Sequence, residues 1–217
     1  KQTNSDAIHP GYGFLSENGD FAKYACDSGL VFIGPDPDTI KLMGDKAESK
    51  KMMAEAGVPI IPGNEGELSG NVDAVAREIG YPLMVKAVAG GGGKGMRIVE
   101  SPEDLESAIE SAGNEARNSF GDDTLILEKY LDEPRHIEVQ ILGDKQGNVI
   151  HLYERECSIQ RRHQKIIEES PSIAINNKVR RMMGDAAVKA AKAVNYSSAG
   201  TVEFLFQDGK FYFLEMN

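Results

Sequence analysis

Cysteine is scarce, positive charge is nowhere concentrated and long apolar runs are missing, and each shortage removes a class of function. The two cysteines, Cys26 and Cys157, stand far apart with no second cysteine beside either. That spacing supports neither a disulfide framework nor a paired-cysteine metal or redox motif, so both read as reduced thiols in packing roles. Asp and Glu outnumber Lys and Arg by 34 to 24, the formal charge is -10, and no basic block is longer than two residues. Nucleic acid and anionic membrane surfaces therefore find no electrostatic footprint here. No stretch approaches the roughly 18 apolar residues of a membrane span, and Lys1 to Pro10 lacks the apolar centre of a signal peptide. The compartment expected from these absences is the cytoplasm. Low-complexity tracts, internal repeats and an initiator methionine are also missing. Asn217 falls in an apolar, strand-like run where a domain boundary is unusual, so the chain is expected to be cut at both ends.

What is present is an ordinary globular composition, 217 residues with 41% hydrophobic. Short β-branched runs alternate with longer helical patterns, which predicts an α/β or α+β protein. A helical stretch from Asn18 to Gly29 leads into the apolar strand Leu30 to Ile33, as in the tail of a βα unit. Asp36 to Gly57 reads as two helices, followed by a turn-rich segment, a helix from Val72 to Ile79 and a strand from Tyr81 to Val88. Met96 to Val99 is a strand again. Ser101 then supplies an N-cap, Pro102 the first helical position and Glu103 and Asp104 an acidic first turn for a helix to about Asn118. Its buried face is Leu105, Ile109, Ala112 and Ala116. Strands follow at Leu125 to Leu131, Ile137 to Leu142 and Val149 to Arg155, then an Ala-rich helix from Lys178 to Asn195 and a final hairpin. Most of these strands alternate, which predicts antiparallel, half-exposed sheets.

Several segments carry chemistry. Gly90 to Gly95 matches a dinucleotide-binding glycine pattern in form, but a strand follows it where that motif needs a helix. It is no P-loop, because Lys94 precedes Gly95 and not Ser or Thr. A hairpin tip able to fold over a triphosphate remains, beside the alternative of a tip with no ligand. Lys86 lies in the apolar strand Leu83 to Val88, where its ammonium needs a negative partner, either a phosphate or a structural carboxylate. Glu128 reads as a pocket group or as an exposed strand face. Glu154 to Glu169 mixes acids, bases, amides and an imidazole, which suits an oxyanion site better than a solvated charge run. His9 to Gly13 is a tight turn displaying Tyr12, and His151 is given no role.

In order and spacing, His9-Pro10-Gly11-Tyr12-Gly13-Phe14-Leu15-Ser16-Glu17-Asn18, Gly90 to Met96, Glu128-Lys129-Tyr130-Leu131 with Pro134-Arg135-His136, Ser158 to Glu169 and Glu215-Met216-Asn217 resemble biotin carboxylases of the ATP-grasp superfamily. The resemblance implies an α+β ATP-grasp fold in which two units hold ATP. It places the end of a pre-ATP-grasp domain at 1–33, a helical linker at 34–58, the lid subdomain at 59–130 and the start of the C-terminal subdomain at 131–217. Lys46 and Lys86 resemble the phosphate-holding lysines, with Gly91, Gly92, Gly93 and Met96 closing over the nucleotide. Glu128, Lys129 and Leu131 resemble the adenine hinge. His136, Gln160, His163 and Lys165 resemble residues of the ribose, phosphate and bicarbonate region, with Lys165 the anchor for bicarbonate. Glu203, Glu215 and Asn217 match the ligands of Mg2+ or Mn2+, and Tyr12 resembles an aromatic beside the biotin pocket. The implied substrates and cofactors are ATP, bicarbonate and carrier-bound biotin. The implied partners are a biotin carboxyl carrier, a carboxyltransferase and, at full length, a second copy. The residues that complete biotin carboxylation lie beyond Asn217 in the family, so this stretch alone is expected to be inactive. A different ATP-grasp ligase, such as a carbamoyl-phosphate synthetase, and a non-catalytic module are the rival readings.

The metal assignment constrains the last hairpin. A two-residue turn at Asp208-Gly209 followed by a regular ladder pairs Glu203 with Leu214 and sends Glu203 and Glu215 to opposite faces. The expectation is therefore a three-residue turn with Gly209 as a left-handed bulge, pairing Phe206 with Lys210 and Glu203 with Phe213. Glu203 and Glu215 then become diagonal neighbours, roughly 7 Å apart at Cα.

Overall fold

Apolar residues at alternate positions build the strands and apolar stripes build the helices. In the computed structural model they assemble an α+β protein with two compact units, residues 1–60 with 134–217, and residues 61–133. The structure describes residues 3–64, 68, 71–88, 95–161 and 164–217, with only the backbone of Lys46 and Ala47. No helix among the described residues is long and apolar enough to cross a membrane.

The larger unit begins with β1 (Ala7–Ile8), α1 (Gly19–Asp27) and β2 (Val31–Phe32), the two strands pairing in parallel as a βα unit requires. Helices α2 (Pro37–Gly44) and α3 (Lys46–Glu55) follow. In the smaller unit, α4 (Val72–Ile79) precedes β3 (Leu83–Ala87), β4 (Met96–Val99), α5 (Leu105–Phe120) and β5 (Leu125–Lys129). The larger unit resumes with β6 (Arg135–Gly143), β7 (Val149–Arg161), β8 (Gln164–Glu169), α6 (Asn177–Ala193), β9 (Ser198–Gln207) and β10 (Lys210–Met216). Both principal sheets are antiparallel, in the orders β4-β3-β5 and β10-β9-β6-β7-β8.

The five-stranded sheet has one dry face. Ile137, Val139 and Ile141 of β6 and Val202 and Phe204 of β9 pack with Met183, Ala187, Ala190 and Ala191 of α6 into one core. The Ala-rich helix is explained by this contact, because small side chains let it lie close to the sheet. Its start is fixed by Asn176, whose Oδ1 accepts from the amides of Lys178 and Val179, each at 3.0 Å. In the smaller unit Leu83, Val85, Val99, Leu125 and Leu127 meet Leu105, Ala108, Ala112 and Ala116 of α5 in a separate core.

Three local expectations need correction. Ser101 occupies the expected position, but its hydroxyl donates to Asp104 Oδ2 at 2.8 Å and caps no backbone amide, and a 3-10 turn over Pro102–Asp104 precedes α5. The strand expected at Val149 to Arg155 runs on through the polar stretch to Arg161, and β8 returns from Gln164 to Glu169. Mixed polar composition masked the strand periodicity there. The terminal hairpin turns through two residues, Asp208 (φ 51) and Gly209 (φ 77), so Gln207 pairs with Lys210 and Phe213 with Phe204. A register shift between Phe213 and Glu215 then leaves Leu214 as an extra residue and sets Glu215 opposite Glu203. The bulge exists, but it lies at Leu214 and not in the turn.

Candidate active site

Alternation along β6 sends Ile137, Val139 and Ile141 into the core and hence His136, Glu138 and Gln140 to the opposite face. Glu138 pairs across the ladders with Arg155 of β7 on one side and with Glu203 of β9 on the other. Directly opposed residues share a face, so acids from two adjacent strands are forced together. The charges are compensated locally. Lys165 of β8 places its ammonium 2.5 Å from Glu138 Oε2 and 2.7 Å from Glu203 Oε1. Arg155 Nε donates to Glu138 Oε1 at 2.5 Å and its Nη1 to Gln140 Oε1 at 3.0 Å. His136 Nε2 bonds Glu203 Oε2. Because the Gln160 amide donates to His136 Nδ1 at 2.8 Å, the imidazole proton is assigned to Nε2 and is donated to Glu203.

These contacts set the protonation states. Burial favours a neutral amine at Lys165, but hydrogen bonds to Glu138 and Glu203 and their charges outweigh it, holding the ammonium well above the usual lysine range. Burial likewise favours a protonated Glu203, and the hydrogen bonds from His136 and Lys165 overcome it, keeping the carboxylate ionised below its ordinary 4.5. Glu203 is 2% exposed, so these partners are what make its charge tolerable.

Asn217 donates through Nδ2 to Glu203 Oε1 at 2.8 Å, and its backbone pairs with Thr201 in both directions, at 2.9 and 2.7 Å. The three residues matched to a metal are thus gathered: Glu203, Glu215 opposite it on the ladder, and Asn217. Two carboxylates and an amide are hard oxygen donors of the kind that Mg2+ or Mn2+ takes. A cavity of about 760 Å³ in the same unit is lined by Tyr12, Gln140, Arg155, Glu215 and Asn217 among others. Tyr12 itself is 93% exposed, its ring edge-on to His9.

The smaller unit carries the remaining described candidates. Lys86 pairs with Met96 on the neighbouring strand, and its ammonium lies 2.5 Å from Glu128 Oε2. The negative partner demanded by the apolar strand is a carboxylate of the same sheet. Lys129 Nζ donates to the carbonyls of Gly80 and Tyr81 at 3.2 and 2.9 Å, so its side chain binds the unit's own backbone. Leu131 is half-buried just beyond β5. Gly91, Gly92, Gly93, His163 and the Lys46 side chain lie outside the described residues.

Glu138 and Gln140 escaped the sequence reading, and Arg155 entered it only as part of the run Glu154 to Glu169. An acid and an amide at alternate positions of the otherwise apolar run Ile137-Glu138-Val139-Gln140-Ile141 were the available signal. Glu138, Cys157 and Glu168 also bring ligand-type atoms within 4.8 Å of one another. Burial and the charge of Glu138 push the Cys157 thiol up to about 12, so on its own it stays protonated.

Residues 45–217 match the family model for the carbamoyl-phosphate synthase L chain, ATP binding domain, and residues 1–40 match that for the biotin carboxylase N-terminal domain. The alpha subunit of mitochondrial methylcrotonoyl-CoA carboxylase from Dictyostelium discoideum is 56% identical, across 100% of this chain and 32% of its own length. A biotin carboxylase from Nostoc is 54% identical, across 99% of this chain and 48% of its own. The chain thus spans between about a third and a half of these curated relatives. Among solved structures, the biotin carboxylase β-γ-ATP complex of Campylobacter jejuni superposes with a TM-score of 0.82 at 53% identity, covering 100% of this chain and 49% of that one. The bicarbonate-bound biotin carboxylase domain of a thermophilic 2-oxoglutarate carboxylase gives 0.92 at 49% identity, covering 100% and 48%. The chain belongs to the family of carbamoyl-phosphate synthase L chain ATP-binding domains and, within it, to the biotin carboxylases of the ATP-grasp superfamily.

Proposed function

We propose that the protein containing this chain makes carboxyphosphate from ATP and bicarbonate and transfers the carboxyl group to biotin on a carrier. The observation that carries the proposal is the polar face of the five-stranded sheet, where one ammonium, one imidazole and two buried carboxylates meet beside an amide and a third carboxylate. A biotin carboxylase domain dimer of Hydrogenobacter thermophilus 2-oxoglutarate carboxylase, solved with MgADP, ADP and bicarbonate, supports the same ligands here.

In this reading Glu203, Glu215 and Asn217 hold Mg2+ or Mn2+, which when bound supplies positive charge to the phosphates. Lys165 draws bicarbonate to the face and opposes the negative charge that develops as its oxygen attacks the γ-phosphate in line. His136, fixed by Gln160, orients Glu203. Lys86 and Lys46 bind phosphate oxygens, Gly91 to Gly93 and Met96 cover the nucleotide, and Glu128, Lys129 and Leu131 receive the adenine. Tyr12 borders the biotin, and His163 serves the phosphate and bicarbonate region. The domain reading belongs to the proposal too: a pre-ATP-grasp end at 1–33, a linker at 34–58, a lid at 59–130 and a C-terminal subdomain from 131. So do a carboxyltransferase partner, a homodimer at full length and a cytoplasmic location. Some relatives are mitochondrial.

The family model named for carbamoyl-phosphate synthase favours a second reading, with ATP-dependent bicarbonate activation serving a different acceptor. The biotin carboxylase N-terminal match over residues 1–40 argues for biotin. Phosphate release by the purified full-length protein separates the two. It should require bicarbonate and rise on addition of free biotin, and indifference to bicarbonate would overturn both.

A further inference from the structure

Glu203 is a crowded ligand. Its Oε1 accepts from Lys165 Nζ at 2.7 Å and from Asn217 Nδ2 at 2.8 Å, and its Oε2 bonds His136 Nε2. All three neighbours are donors, and an ammonium touching the carboxylate repels any cation brought to the same oxygen. Glu203 therefore offers a cation only the remaining lone pair of Oε2, and holds it weakly while the Lys165 ammonium stays on Oε1.

We infer that Lys165 and a divalent cation compete for Glu203, so that cation binding releases the lysine ammonium to receive a small oxyanion. The inference rests on the reading of Glu203 as a metal ligand and names how that site is regulated. Lys165 has a second berth at Glu138 Oε2, 2.5 Å away, so leaving Glu203 does not strand its charge. Glu138 is in turn held by Arg155 and stays compensated. Shared between two carboxylates, the ammonium offers little net attraction to an anion; relieved of one, it offers more. Asn217 must also change, because a cation takes its amide oxygen and the nitrogen now faces Glu203. Rotation of the amide exchanges two ends of nearly equal size. The consequence is an order of assembly, cation first and bicarbonate second. By linkage, the anion in turn tightens the cation.

Free Mn2+ read by electron paramagnetic resonance, with no nucleotide present, tests this on the purified protein. Lys165→Met removes the competing charge and should tighten Mn2+ binding by roughly tenfold, within the range of ordinary two-site couplings. Glu203→Gln should abolish binding. If Lys165→Met binds Mn2+ no more tightly while Glu203→Gln still loses it, the competition is refuted and the metal site stands. If Glu203→Gln binds like the unaltered protein, the metal assignment fails and the competition with it. A second measurement needs no variant: the rate at which an amine acylating reagent modifies Lys165, followed by peptide mass spectrometry. Saturating Mg2+ should raise that rate several-fold, and an unchanged rate contradicts release.

Discussion

At the scale of single residues, the central fact is that Glu203 is ionised inside the protein because its neighbours make it so. The sign of its pH linkage follows. A carboxylate depressed in the folded state contributes stability that is fully present above its ordinary 4.5 and is lost as pH falls through the depressed folded value. Lys165, raised above 10.5, contributes stability present below that value and lost as pH rises through the raised one. The urea midpoint of Glu203→Gln should therefore lie below that of the unaltered protein by a constant amount between these limits, and the gap should close in acid. A gap that does not shrink at all as the pH is lowered from 4.5 to where the protein unfolds would mean that the Glu203 charge contributes nothing. On the proposed function, Lys165→Ala in the full-length protein should lower the turnover number by far more than it weakens ATP, because in that reading the ammonium is needed most as charge develops on bicarbonate. Steady-state kinetics decide this, and an unchanged turnover number would make the lysine a structural ion-pair partner only. The two cysteines make a simpler contrast. Cys26 is exposed and should react with a thiol reagent at once, whereas Cys157, buried and pushed up to about 12, should react only on unfolding.

At the scale of elements, β10 shows why the sequence reading reached the right face by the wrong turn. Phe211 and Phe213 enter the core, but so does Met216, and a regular strand does not send positions of both parities inward. One extra residue between Phe213 and Met216 is the only repair, and Leu214 is that residue. The apolar pattern carried this signal, but the bulge was assigned to the turn because the metal assignment required Glu203 and Glu215 on one face and Gly209 could take the left-handed position. Gly209 is left-handed, yet Asp208 is as well, which makes the turn two residues long. Replacing Gly209 by Val should cost about 1–3 kcal/mol, measured in urea, with Mn2+ binding retained. Deleting Leu214 should leave Glu215 opposite Glu203 in a continuous ladder, so Mn2+ affinity should survive. Loss of binding would show that the bend itself aims the ligands. Elsewhere periodicity served well: Val72–Ile79 and Met96–Val99 have the expected bounds, since apolar positions and flanking Asn71 and Gly80 mark them clearly. The hairpin over Glu154 to Glu169 was hidden because many of its positions carry ion-pairing groups, among them Glu154, Arg155, Glu156, Lys165 and Glu168, and no apolar alternation announces it.

At the scale of the whole molecule, the described residues form three hydrophobic clusters with no residue in common: one under the five-stranded sheet, one in residues 61–133, and a small one of Ala22, Ala25, Phe32 and Ile40. The smaller unit contains its own helix caps, its own sheet and the Lys86–Glu128 pair. Expressed alone it should unfold in urea as one cooperative transition; a flat, non-cooperative response would show that its core needs the rest of the chain. The site at the centre of the account belongs wholly to the larger unit. Its most direct test is an anomalous-scattering map of crystals of the protein grown with Mn2+ and a non-hydrolysable ATP analogue. The account predicts a Mn2+ peak about 2–2.3 Å from carboxylate oxygens of both Glu203 and Glu215, with Lys165 withdrawn toward Glu138. A peak elsewhere, or Glu203 still paired with Lys165 beneath a bound Mn2+, would contradict it.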